Sequence, residues 1–182
     1  MRAVETVKAI DVPDGVEVKV DGRMVSVKGE RGALTRDFSG APVSLQLEDK
    51  KITVQANWPR KREAALVGTV AAIIQNMITG VREGYTYKLK IVFSHFPISV
   101  KVKEGMVSIE NFTGERSPRL TKIIGDVKVS VKEDDVIVQG INLEDVSQTA
   151  ANIEQATRVK SKDPRVFLDG IFIYEKKEGV KT

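Results

Sequence analysis

The sequence contains no cysteine, which excludes disulfides and thiolate metal sites. Cytoplasm is the default expectation for such a chain. Histidine occurs once, at His95, just before Phe96-Pro97. It has no second histidine to share a metal and no thiol to activate, so it reads as structural or solvated. Aromatic residues make up 5%, too few for a single-strand binder that works by stacking bases. No apolar run approaches the ~18 residues of a membrane span. The start, "MRAVETVKAIDVP", lacks the apolar core of a signal peptide. "GERG" at Gly29–Gly32 lacks the Gly-Lys-Ser/Thr ending that grips a nucleotide phosphate. The acidic pairs Asp134–Asp135 and Glu144–Asp145 fall in an expected hairpin turn and an expected helix first turn, where local structure accounts for them. Nothing here points to an enzyme: no catalytic residue, cofactor, metal or small-molecule substrate is expected.

What is there is written twice. "VKVDGRMVSV" (Val18–Val27) returns as "VKVKEGMVSI" (Val100–Ile109), and "GER" at Gly29–Arg31 returns at Gly114–Arg116 after three extra residues. "SLQLEDKKITVQ" (Ser44–Gln55) matches "KVSVKEDDVIVQ" (Lys128–Gln139), and "TVAAIIQ" (Thr69–Gln75) matches "TAANIEQ" (Thr149–Gln155), in the same order. An open solenoid needs about three repeats or more, so two small tandem domains are expected from the 182 residues.

The fold class expected is α+β, each half a small, mostly antiparallel sheet with one helix packed on it. Alternation around Asp21–Gly22 predicts one hairpin, and Val43–Leu47 with Ile52–Val54 a second. The period then changes: Leu66, Val70, Ile73, Ile74, Met77 and Ile78 share a helical stripe, with Pro59 in the first turn and Gly80 at the C-terminal cap. A strand over Tyr85–Phe93 closes the first half, placing the domains at 1–93 and 94–182 with the boundary near Ser94. In the second half, strands are predicted near Ile98–Val102, Met106–Glu110, Lys128–Val131 and Val136–Val138. Asn142 is the expected N-cap of a helix that buries Val146, Ala150, Ile153 and Thr157. "RVFLDGIFIYE" gives a last strand and "KKEGVKT" a loose tail.

Net charge is +4, split +3 over residues 1–82 and +1 over 83–182, so any electrostatic function rests on local clustering. "PRKRE" sets Arg60, Lys61 and Arg62 at a helix start. Simple dipole logic disfavours cations there unless an anion joins them. "GERSPRLTK" carries Arg116, Arg119 and Lys122, and "RVKSKDPR" carries Arg158, Lys160, Lys162 and Arg165 against one Asp163. Several cations on one short loop suit a phosphate backbone, and few aromatics favour folded RNA read by shape, phosphate and 2′-OH. From the residues alone, a tandem-domain protein-interaction module without an RNA role remains the alternative.

The duplication, together with "QATRVKSKDPRVFLDGIFIYEK" (Gln155–Lys176), resembles the ribosomal protein L6 family of the large subunit, in its archaeal and eukaryotic branch. "QNMITGVREGYTYKLKIVFSHFPI" (Gln75–Ile98) and "IENFTGE" (Ile109–Glu115) resemble the same branch, and the likeness runs from about Val4 to Glu178. The resemblance implies two tandem α+β domains and a structural, non-catalytic role in the large ribosomal subunit, in the cytoplasm. It implies binding to 23S-type rRNA near the sarcin–ricin stem and stalk base. The partners it implies are that rRNA and neighbouring ribosomal proteins, with no membrane. It implies that the second domain supplies most RNA contact. Lys160, Lys162 and Arg165 are therefore the first candidates, then Arg158, Arg116, Arg119 and Lys122. Phe167, Asp169 and Gly170 are expected to shape the loop. The family's bacterial branch carries a Tyr-Lys-Gly-Lys-Gly type motif where this chain has "RVFLDGI" (Arg165–Ile171), so bacterial contacts do not transfer.

Overall fold

A computed structural model describes residues 4–160, 162–163 and 165–180. Ser161 and Pro164, part of the composition that marked the basic loop, and the last two residues of the expected loose tail lie outside the described residues. The chain forms two units, Met1–Glu83 and Gly84–Thr182.

The first unit runs β1 (Glu5–Asp11), β2 (Glu17–Asp21), β3 (Met24–Gly29), β4 (Gly32–Asp37), β5 (Ser44–Glu48), β6 (Lys51–Asn57) and α1 (Lys61–Arg82). Two antiparallel sheets, ordered β1-β6-β5 and β2-β3-β4, pack with α1 around one core. Register explains which side chains enter it. Val18 and Val20 sit opposite Val27 and Val25 on the inner face, and Ile52, Val54 and Ala56 alternate inward along β6. The helix buries Val67, Val70, Ala71, Ile74, Met77, Ile78 and Val81, at the spacing of one helical face.

The helix corrects three expectations. Its N-cap is Arg60, whose N–H donates to the Glu63 carboxylate at 2.6 Å, so Pro59 precedes the helix. Gly80 lies inside it, buried, and Gly84 instead takes the left-handed position after its end, at φ +77°. An 18-residue stretch of α1 reaches a mean hydropathy of 1.7, so α1 is long and apolar enough to cross a bilayer, contrary to the expectation that no such run exists. In this fold that apolarity serves as one wall of the core.

The second unit runs β7 (Tyr85–Val92), β8 (Ser99–Lys103), β9 (Met106–Glu110), a 3-10 turn at Phe112–Gly114, β10 (Arg119–Lys122), β11 (Lys128–Lys132), β12 (Asp135–Gly140), α2 (Leu143–Ala156) and β13 (Gly170–Glu178). Its sheets are β11-β12-β7-β13 and β8-β9-β10. The quoted repeat is thus the β2–β3 hairpin and its copy β8–β9, and the second pair of matched segments is β5–β6 and β11–β12. The three extra residues before the second "GER" build the 3-10 turn, whose Phe112 is buried.

The boundary moves. β7 pairs with β12 on one side and β13 on the other, so the strand assigned to the first half belongs to the second unit. Each unit opens with a strand, and β7 is the counterpart of β1. The tail is also less loose than expected: β13 continues through Glu178, held against β7 to Tyr85, and the Gly179 N–H donates to the Gly84 carbonyl at 2.8 Å. Strands β1, β4 and β10 had no prediction. Only Ile10 of β1 is buried, and a strand with one core residue leaves little periodic signal.

Candidate nucleic-acid interface

The segment between α2 and β13 is anchored at both ends. At its start Thr157 donates its hydroxyl to the Glu154 carbonyl at 3.1 Å and accepts the Ile171 N–H at 3.0 Å. One side chain therefore ends the helix and fixes the strand that follows. Near its end the Asp163 carbonyl accepts the N–H groups of Val166 and Phe167 at 3.1 and 2.9 Å, closing a tight turn. Phe167 and Asp169 then bury themselves, at 8% and 2% exposure.

Asp169 is the strongest anchor. Its carboxylate accepts from the Ser94 N–H (2.9 Å), the Ser94 hydroxyl (2.9 Å), the His95 N–H (3.2 Å) and His95 Nδ1 (3.2 Å). Burial pushes its pKa up, but the bonds from Ser94 and His95 outweigh it and hold the carboxyl well below the usual range. The His95 ring stacks on Phe167 with centroids 4.6 Å apart, and the Lys162 ammonium lies 4.1 Å from the Phe167 centroid. A Cβ at Gly170 would meet the tip of the half-exposed Phe172 ring at 2.9 Å, a side chain that would have to turn aside. Sequence reads His95 as structural or solvated and Phe167, Asp169 and Gly170 as loop-shaping; His95 is held by Asp169 while about half its side chain stays exposed, and Phe167 and Asp169 pack and bond within the segment. The link from Asp169 back to Ser94-His95 was not visible, because the partners lie 74 and 75 positions apart.

Serine, histidine and aspartate together invite comparison with a hydrolase triad. Here Ser94 Oγ and His95 Nδ1 both bond the same Asp169 oxygen. A relay needs the aspartate on one ring nitrogen and the serine on the other. This group holds a loop instead.

So pinned, the segment forms one wall of a cleft of about 390 Å³. Arg158, Val159, Lys160 and Lys162 line one side; Phe112, Thr113, Glu115 and Arg119 line the other. Arg119 of the first basic cluster thus meets Arg158, Lys160 and Lys162 of the second. Arg158, Lys160 and Lys162 are exposed, with no acidic partner among the described residues.

Arg119 stands differently. β10 pairs with β9 so that Arg119 is opposite Ile109 on the inner face and Lys122 opposite Met106 on the outer. Arg119 therefore points inward. Its guanidinium grips both Glu115 oxygens at 2.5 and 2.8 Å, donates to the Ala156 carbonyl at 2.6 Å and lies 4.4 Å from the Phe112 centroid. The hydrogen bond lowers the Glu115 pKa and raises that of Arg119. The one acid in the cleft is thereby matched within its own wall.

The remaining candidates are not brought into the cleft. Arg165 folds back on Asp163, with Nη2 at 2.8 Å and Nε at 3.1 Å. Arg116 and Lys122 are exposed outside the lining.

The family model described as Ribosomal protein L6 matches this chain twice, over residues 12–84 and 96–170. The large ribosomal subunit protein uL6 of Desulfurococcus amylolyticus is 52% identical over 182 residues, covering 98% of this chain and 99% of that protein. Its namesake in Methanothrix thermoacetophila is 49% identical, over 95% of this chain and 98% of its own length. The Staphylothermus marinus protein of the same name is 54% identical, over 91% and 92%.

Proposed function

The chain belongs to the ribosomal protein L6 family, and from that membership and its basic cleft we propose that it is a structural, non-catalytic component of the cytoplasmic large ribosomal subunit. It binds 23S-type rRNA near the sarcin–ricin stem and stalk base, beside neighbouring ribosomal proteins. The second unit carries the main contact. The observation that supports this most is the meeting of Arg158, Lys160 and Lys162 in one cleft whose single acid is already taken up by Arg119. Such a surface presents unneutralised positive charge on a preorganised wall, as a folded phosphate backbone requires. Arg165, Arg116 and Lys122 flank it as outer phosphate contacts. Arg119 acts chiefly by holding the wall.

The test is a salt titration of the full chain against an rRNA fragment carrying the sarcin–ricin stem, with an unrelated RNA as control. Replacing Arg158, Lys160 and Lys162 together by alanine removes three phosphate contacts. The slope of log affinity against log salt should then fall by roughly two to three, with the thermal midpoint unchanged. An unchanged slope refutes the cleft as the RNA site. Equal weak binding to both RNAs favours a protein-interaction module instead.

A further inference from the structure

The two units share one plan, and comparing them exposes a position that is filled in one and open in the other. In the second unit β7 carries β12 on one edge and β13 on the other. Its counterpart β1 carries β6 on one edge, and among the described residues no strand pairs with the other. The hydrogen-bond parity is also the same. The Val12 N–H donates to Lys50, and the Trp58 N–H to Val4, so the even-numbered residues of β1 bond β6. Likewise the Ile91 N–H donates to Asp134, so the odd-numbered residues of β7 bond β12 and its even-numbered residues face β13. By that parity Glu5, Val7, Ala9 and Asp11 turn their backbone N–H and C=O groups to the open edge, and all four are exposed.

An unpaired edge of seven residues is a ready template for another strand. Native edges are commonly blunted by charged side chains, proline, a bulge or a covering element, and of these β1 carries only the charges of Glu5, Lys8 and Asp11. β1 has no proline and pairs with β6 in unbroken register. β13 shows what such cover looks like here: Thr157 and Glu154 side chains take the Ile171 and Ile173 N–H groups. Beside β1 lies further uncovered apolar surface. Val7 is 47% exposed, and Val4 and Trp58, bonded across the end of the β1–β6 pair, are each 62% exposed.

We propose that the open edge of β1 is a docking site for an extended segment of a neighbouring protein, added antiparallel as a fourth strand. Its chemistry follows from the edge. Val7 and Ala9 ask for apolar or β-branched residues at the centre, and Glu5 asks for lysine or arginine at one end; Asp11, already 3.5 Å from Lys51 of β6 but largely exposed, can share a second cation at the other. The occupant β7 already holds is likewise apolar at Ile171, Phe172 and Ile173 and charged from Glu175 onward.

The probe is a nine-residue peptide copying Gly170–Glu178 with lysine in place of both glutamates, compared with one bearing glutamate at all four charged positions. Trp58, the only tryptophan, reports binding to the full chain by fluorescence. Amide hydrogen exchange reports its place. The lysine peptide should slow exchange at Glu5, Val7, Ala9 and Asp11 at least tenfold and bind at least tenfold more tightly than its acidic counterpart. Val7→Pro removes an outward N–H at an edge position that tolerates proline and should abolish that protection. The double variant Glu5→Lys with Asp11→Lys, whose backbone is untouched, should reverse the charge preference. Protection confined to β7, which marks strand exchange in the second unit, overturns the proposal. So does dimerisation of the chain through β1, or saturation of either peptide without protection of these four amides.

Discussion

Replacing Asp169 by asparagine should loosen the basic segment from its own domain. The carboxylate is 2% exposed and accepts four hydrogen bonds, two from backbone N–H groups of Ser94 and His95. An asparagine offers one acceptor oxygen, and its amide hydrogens would face those donors. Hydrogen bonds to a charged group contribute about 1.5–3 kcal/mol each, and a buried donor left unmet costs about 1–3 kcal/mol. Because losses within one network are not additive, the net cost should be about 2–4 kcal/mol. For a unit of this size that lowers the thermal midpoint by roughly 10–20 °C. The effect also has a pH signature. Asp169 has a folded pKa below its unfolded value, so the unfolded state takes up its proton first as pH falls. Its contribution is complete above the unfolded carboxylate pKa of about 3.9 and is lost as pH falls from there toward the lower folded value. The wild type should therefore lose stability on acidification below about pH 4–5 more steeply than the variant. Urea unfolding across pH 3–7, followed by far-UV circular dichroism, gives both quantities. A loss under about 0.5 kcal/mol at pH 7, or parallel acid limbs, would refute the role given to this carboxylate.

Two other substitutions separate scaffold from contact. Arg119→Lys keeps the charge of the cleft but cannot span both Glu115 oxygens and the Ala156 carbonyl. With the side chain about a third exposed, the cost should be about 1–2 kcal/mol by thermal melting, with the salt slope of RNA binding unchanged. Gly29→Ala places a Cβ 2.7 Å from the Val81 carbonyl oxygen, a backbone atom that cannot rotate aside. It should destabilise the first unit by about 2–3 kcal/mol, with amide exchange accelerated in residues 4–83 and unaltered beyond.

Sequence was most informative where a period was strong and a copy existed to check it. The β2–β3 hairpin and its copy, the stripe of α1 and the Asn142 cap of α2 all follow from local rules, and Asn142 does accept the Glu144 N–H at 3.1 Å. Edge strands were missed for the complementary reason. β10 has only four residues, and its one inward cation, Arg119, breaks the apolar alternation that marks a core strand. The boundary was misplaced because an internal strand carries no label saying which neighbour it will pair with. The Tyr85–Val92 run is apolar enough to close either half, and only its pairing with β12 and β13 decides it. For the cleft, composition located the cations but not their company. That Arg119 faces a core and Lys122 faces outward follows from register with β9, which a sequence does not print.

Net charge does not locate the cleft. Counted over the two units, Met1–Glu83 and Gly84–Thr182, the excess is +2 in each, yet the cleft lies in the second. The resolution is pairing. In that unit Lys88 and Lys177 meet Glu175, Lys90 meets Asp135, Lys101 meets Glu110, Arg119 meets Glu115 and Arg165 meets Asp163. These pairs cancel charge where it is made. Arg158, Lys160 and Lys162 stand outside them, on the one connection that has no counterpart in the first unit, because only α2 is followed by a strand that returns to its own sheet. The duplicated framework therefore supplies rigidity, and the segment added after it supplies the unneutralised charge. A consequence is that moving acids within the paired faces should alter stability with little effect on RNA affinity. A single acid placed at Lys160, exposed in the cleft lining, should act the other way, weakening RNA binding while leaving the pairs and the fold in place.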